Sequence, residues 1–281
     1  MKLAISAEST LDLSKELLKE FDIHVIPYTF TLGEKEYTDG DITNEEMFEL
    51  VETNDELPKT SAINKETYKA FYKSVLDKGY DGLIHFALSS GITSSCANAV
   101  EAGKEVENVR VVDSKSLSTG IALECINARL MANEGLSLDE VYEKSVKLAD
   151  NVQASFVLHT IKYLYKGGRC SLLSMIAANA LNIRPQILVQ DGKMYPGDKY
   201  FGNYNRCVKK YTESTLKKFN NPDKRLAFVT YSSADEEMVR ICKEALTEAG
   251  FERILETKAG STIASHCGEK CIGILYVNNP E

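Results

Sequence analysis

The sequence predicts an α/β protein, with a parallel sheet layered between helices up to about residue 150 and a mixed sheet with helices beyond it. Three observations predict it. Through the first part, apolar runs of strand length alternate with segments of helical periodicity, the pattern of β-α units on a parallel sheet. In the second part Asp191-Gly192 breaks that alternation, because this dipeptide favours a tight hairpin turn between two apolar runs. The chain has 281 residues, 43% of them hydrophobic, enough to bury a core in each part. The expected domains are therefore residues 1–150 and 151–281.

Residues 2–6 read as the first strand, and Glu8, Ser9 and Thr10 turn the chain into an amphipathic segment over 11–21. Residues 24–32 alternate and are β-branched enough for a second strand. A polar hairpin-like piece, 33–41, leads through Asp41-Ile-Thr43 into a helix over 44–53. Leu57-Pro-Lys-Thr-Ser61 reads as a loop held by Pro58, and its hydroxyls Thr60 and Ser61 precede a helical pattern over 65–78. A strand over 83–88 breaks at Ser89-Ser90-Gly91 into a small-residue helix. A strand over 109–113 and helices over 120–133 and 138–150 complete this part, Gly135 stopping the first of those helices.

Further on, residues 154–158 read as a strand, 159–165 as a helical turn, and Lys166-Gly-Gly-Arg169 as a glycine break carrying positive charge. Residues 172–181, rich in Ala and Met, read as a buried helix. Runs 185–189 and 193–197 form the two arms of the Asp191-Gly192 hairpin. Helices over 203–219 and 234–249, the second ended by Gly250, alternate with strands over 226–231, 254–258 and 272–277.

Formal net charge is −8, with Lys and Arg spread along the chain rather than gathered into a stripe, which argues against a nucleic-acid partner. The N-terminus turns polar within a few residues, unlike a signal peptide, and no window has the ~18 consecutive apolar residues of a membrane span. The seven scattered cysteines read as reduced thiols of a cytoplasmic protein.

The stretch of most chemical interest is residues 82–100. A strand, a turn of Ser89, Ser90 and Gly91, and a helix start together make an anion site. Hydroxyls and first-turn N–H groups donate, the helix dipole favours negative charge, and Gly91 permits close backbone approach. A Ser-rich helix start also serves as a plain cap, and Thr60 and Ser61 read the same way. His266, one of four histidines, falls in the expected loop Ser265-His-Cys-Gly-Glu-Lys-Cys271, whose spacing fits no zinc pattern; no metal or cofactor is expected. The chain carries no G-x-S-x-G, no Walker A and no G-x-G-x-x-G, and Ser214-Thr-Leu-Lys217 is an S-x-x-K spacing in a charged helix.

Taken in order, these pieces resemble the DegV family over the whole length. Ala7-Glu-Ser-Thr10 resembles the family's T-D-S-T, Leu57-Pro-Lys-Thr-Ser61 its L-P-x-T-S, and Ser89-Ser-Gly91 its S-S-G. Asp113-Ser114 with Ser118, Lys166-Gly-Gly-Arg169 and Ser265-His-Cys-Gly268 complete the set. The resemblance implies two unlike α/β domains, related to those of dihydroxyacetone kinase, with a long-chain fatty acid between them. It implies a carboxylate held by Thr60, Ser90, Gly91 and His266, with Ser61 and Ser89 as close neighbours, and Arg169 near the site and a partner-facing surface. It further implies a non-catalytic carrier that presents the fatty acid to a separate kinase subunit for acyl-phosphate formation. The alternative is a stand-alone kinase-like or hydrolytic enzyme using a Ser hydroxyl and His266. A regulatory protein stabilised by its ligand is a third reading. Residues 172–181, with Met175 and Ile176, are the expected wall of an acyl tunnel. The chain departs from the family pattern at Ala7 and Glu8, at Ala62-Ile63 after the T-S pair, and at Glu269-Lys270 where G-P-G is usual.

Overall fold

The computed structural model describes residues 1–170 and 183–279. Strands β1 (Leu3–Glu8), β2 (Ile23–Ile26), β6 (Gly82–Ala87) and β7 (Val109–Asp113) form a four-stranded parallel sheet in the order β2-β1-β6-β7. Every residue of β1 and β6 is buried, because helices cover both faces and leave no side for an alternating polar pattern. On one face pack α3 (Lys65–Leu76) and α4 (Ser95–Lys104); on the other, α5 (Thr119–Asn133) and α6 (Leu138–Ala149). Ser137 and Glu140 close a capping box at the start of α6.

A six-stranded mixed sheet is built from the rest of the chain: β8 (Val152–Val157), β9 (Ile183–Gln190), β10 (Lys193–Phe201), β11 (Pro222–Tyr231), β12 (Ile254–Lys258) and β13 (Ile272–Asn278), in the order β10-β9-β8-β13-β11-β12. Asp191 and Gly192 both take positive φ at the β9–β10 turn, as the dipeptide demands. The two faces separate by strand alternation. Ile272, Ile274 and Tyr276 point toward α8 (Tyr204–Lys218) and α9 (Glu236–Glu248), while Leu275 and Val277 join the core that contains α5.

The expected helix over 120–133 is α5, and it has no solvent face of the usual width. It is instead buried almost all round, because the parallel sheet covers one side and β8, β11 and β13 cover the other. One apolar core thus runs from Leu3 and Ile84 through Ile121 and Leu123 to Leu275.

The expected strand over 24–32 is two strands in two sheets. β2 ends at Ile26, before Pro27, and β3 (Thr29–Leu32) opens a small antiparallel sheet with β4 (Lys35–Thr38) and β5 (Lys59–Ser61), in the order β4-β3-β5. The expected loop at 57–61 is therefore an edge strand in part, and Pro58 stands just ahead of it, where no ladder N–H is needed. With α2 (Asn44–Asn54), this excursion packs on the second half of the chain: Phe30, Met47 and Phe48 cluster with Tyr163 of α7 (Lys162–Lys166) and Ala264 of α10 (Ser261–Cys267). The Asn44 amide donates to the carbonyls of Ser232 and Ala259 at 2.9 and 2.8 Å. The first helix, α1 (Lys15–Glu20), is shorter than expected, because a 3-10 turn over Ser9–Leu11 precedes it. The expected buried helix over 172–181 lies outside the described residues.

Candidate functional site

His266 is not on a loop. It is the penultimate residue of α10, which points its imidazole at β5. There Nε2 lies 2.9 Å from Thr60 Oγ1, a contact between residues 206 positions apart. The hydroxyl within reach of the imidazole is thus a threonine's. The other ring nitrogen, Nδ1, is buried without a hydrogen-bond partner, and a Cβ at Gly167 would stand 2.7 Å from it. The Lys166-Gly-Gly-Arg169 break is therefore where the chain passes close under the ring. Burial, with the Arg169 guanidinium nearby, pushes the His266 pKa down to about 4, so the imidazole is neutral at neutral pH. Arg169 itself is exposed and donates to the Gly167 carbonyl at 2.7 Å.

Thr60 and His266 stand on the wall of a cavity of about 390 Å³ lined by residues from both halves of the chain. Ser61, Gly91 and Arg169 line it too. Its polar lining includes Thr93, Ser94, Thr262 and Lys193; its apolar lining includes Leu88, Ile92, Leu117, Leu164, Met194 and Ile263. Thr262 Oγ1 is buried with no partner. The Tyr28 hydroxyl lies beside Thr93 and Ser95 without forming a well-aligned hydrogen bond to either. Buried polar atoms left open are unusual, and three of them lie on this one wall. Past Leu117, Ile263 and Cys267, which border both spaces, a further void of about 30 Å³ opens among Phe156, Cys271 and Leu275.

Ser89 and Ser90 do not line the cavity. The Ser89 side chain is buried: its hydroxyl donates to the Gly192 carbonyl at 2.7 Å and accepts from Gly91 N–H at 3.2 Å. It ties the β6–α4 turn to the tip of the β9–β10 hairpin. Ser90 is exposed, its N–H donating to Asp113 at 3.2 Å. Gly91 does permit a close backbone approach, but of another kind than the sequence suggests. A Cβ there would lie 2.3 Å from the Gly192 carbonyl oxygen, so the neighbour it admits is the hairpin. The helix starts four residues after Gly91, at Ser95, and the residues at that start, Thr93 and Ser94, are the ones on the cavity wall. The signal for them was present, since Thr93-Ser94 continues the hydroxyl-rich turn. Nothing local marks Tyr28 or Thr262.

The first motif serves structure. Glu8, at the end of β1, is fully buried; it accepts from the Tyr68 hydroxyl at 2.6 Å and Leu88 N–H at 2.8 Å, which pins β6 where the chain leaves it. All seven cysteines are buried thiols. Among the described residues no group of three or more His, Cys, Asp or Glu side chains is placed to hold a metal ion, and no helix is long and apolar enough to cross a membrane.

Fold and cavity together define an α/β protein with a parallel and a mixed sheet, whose pocket is lined by hydroxyl, imidazole and apolar side chains from both halves of the chain. The DegV family model matches residues 2–279. The chain belongs to the DegV family. It is 28% identical to a DegV domain-containing protein of Clostridium perfringens, over 98% of each chain. It superposes on a DegV family protein of Thermus thermophilus, described as binding fatty acid, with TM-score 0.88 at 25% identity, over 99% of this chain and 100% of that one. A stearic-acid-binding protein of Eubacterium ventriosum gives TM-score 0.83 at 26% identity, over 98% of each.

Proposed function

We propose that this protein binds a long-chain fatty acid between its two lobes, with the carboxylate at Thr60 and His266 and the tail running inward past Leu117 and Ile263. The observation that carries the reading is the 2.9 Å Thr60–His266 contact on the wall of a half-apolar cavity. With Nε2–H of the neutral imidazole donating to the Thr60 oxygen, the Thr60 hydroxyl proton is free to donate to a carboxylate without a fixed opposing charge, and Ser61, Thr93 and Thr262 add hydroxyls on the same wall. The tail supplies most of the affinity, at about 0.8 kcal/mol per buried methylene. The fatty-acid-binding relatives of the same fold support this assignment.

In this proposal the chain is a non-catalytic carrier in the cytoplasm. It presents the carboxyl group, beside exposed Arg169 and Lys193, to a separate kinase subunit that forms the acyl phosphate. The family resemblance supports that step.

Solvent extraction of the purified protein followed by mass spectrometry should yield fatty acid near one equivalent. In displacement of a fluorescent fatty acid, His266→Ala and Thr60→Val should each weaken binding about tenfold or more while leaving the fold intact. A protein that carries no lipid and takes up none refutes the reading.

A further inference from the structure

His266 rides on a helix of seven residues, too short to hold its own position through backbone hydrogen bonds alone. Two carboxylates from far earlier in the chain seize its N-terminal end. Asp12 Oδ1 accepts from Gly260 N–H at 2.8 Å, and its Oδ2 accepts from the Ser118 hydroxyl at 2.5 Å. Asp39 Oδ1 accepts from Thr262 N–H at 3.3 Å, and its Oδ2 accepts from the Ser9 hydroxyl at 2.8 Å. Ser9 in turn accepts from Tyr28 N–H at 3.0 Å, which carries the chain of contacts back to the cavity wall.

The approach is tight. A Cβ at Gly260 would lie 2.9 Å from Asp39 Oδ1, so a larger residue there would push that carboxyl back from the helix end. Asp12 takes a left-handed backbone conformation, φ 57°, to aim its side chain there. Carboxyl oxygens at a helix N-terminus satisfy its open N–H groups; burial raises the Asp12 pKa well above the usual carboxylate range, so its hold on Gly260 rests on the hydrogen bond and not on charge. Neither aspartate lines the cavity.

We propose that Asp12 and Asp39 are positioning residues for His266: they fix the start of α10 against the first lobe and so hold the imidazole on Thr60. The two ends of α10 are then set separately, the first by these carboxylates and the last by Gly167 beneath the ring. The inference deepens the function proposed above and rests on it for its binding readout only.

The test uses the full chain, with Asp12→Ala, Asp39→Ala and the conservative Asp12→Asn, each alone and combined with His266→Ala. The His266 ring is titrated by NMR, and stearate binding is measured by displacement. Each alanine variant should move the His266 midpoint up from about 4 toward the ordinary 6.5 as the ring loses its buried place. Each should weaken stearate binding about tenfold with His266 present and leave it unchanged in the His266→Ala background. Asp12→Asn, which keeps an acceptor for Gly260 N–H, should restore much of both. An unmoved titration in a folded variant, or an equal loss of affinity without His266, overturns the proposal. Should Asp12→Ala fail to fold, Asp39→Ala and Gly260→Ala carry the same expectations. Should the wild type bind no fatty acid, the functional reading fails while the titration still judges the positioning.

Discussion

His266 is the residue on which the site depends, and its environment has a cost that shows in solution. Its folded-state pKa is depressed to about 4 from an ordinary 6.5, first by burial and then by Arg169. Between those two values the unfolded chain binds a proton that the folded chain refuses. Stability therefore falls as pH drops through this window and returns as pH rises. His266→Gln keeps a polar partner for Thr60 and removes the titration. Urea unfolding at pH 7 and pH 4.5 should show a smaller acid loss in this variant than in wild type, and an equal loss in both would exclude His266 as a source. Thr60 shows why the residue scale is insufficient: its hydroxyl is an ordinary edge-strand group until α10 brings an imidazole to it.

Helix α5 is the element that joins the molecule, and it carries an anomaly. Glu124 is fully buried between the two large sheets, and neither carboxyl oxygen has a hydrogen-bond partner. Burial raises its pKa well above the usual range, with Asp113 adding to the rise and Lys115 opposing it. The folded chain thus holds a proton that the unfolded chain releases. The folded state is favoured at low pH and loses that advantage as pH rises past the ordinary carboxyl range. Glu124→Met, close in volume and without polar atoms to satisfy, should stabilise the protein by about 1–3 kcal/mol. The gain should be larger at pH 8 than at pH 5 in chemical unfolding, and a destabilised variant at pH 8 would show that the carboxyl has an unseen partner.

For the whole molecule, we propose two lobes divided near residue 150 by sheet membership but not by core. Strands of the parallel sheet precede that point and strands of the mixed sheet follow it. The apolar cluster nevertheless spans both through α5, and the small sheet with α2 from the first half packs on α7 and α10 of the second. A shared core couples the lobes, so thermal unfolding should be one transition, with far-ultraviolet and near-ultraviolet signals coinciding. Two separated transitions would mean that the lobes hold together only by surface contact.

Much of this was legible in the residues themselves. The Asp191-Gly192 hairpin, the 254–258 strand and the Asn203-led helix α8 follow from turn chemistry, β-branching and capping, which act within a few positions of the chain. The cavity's hydroxyls at Thr60 and Ser61 and the imidazole of His266 stood out as motifs for the same reason. Ser89 was misleading because a capping hydroxyl and a hydroxyl that binds a hairpin tip look alike in sequence. The split of 24–32 into two sheets, the burial of α5 on both sides and the meeting of Thr60 with His266 were not legible. The sequence by itself determined most of the strands and helices and which donors the chain owns, since those depend on local dihedral and periodic preferences. Only the tertiary structure decided which donors share a wall, because that depends on how the 27–64 excursion folds back on the second half, a contact across some two hundred residues that no local rule encodes.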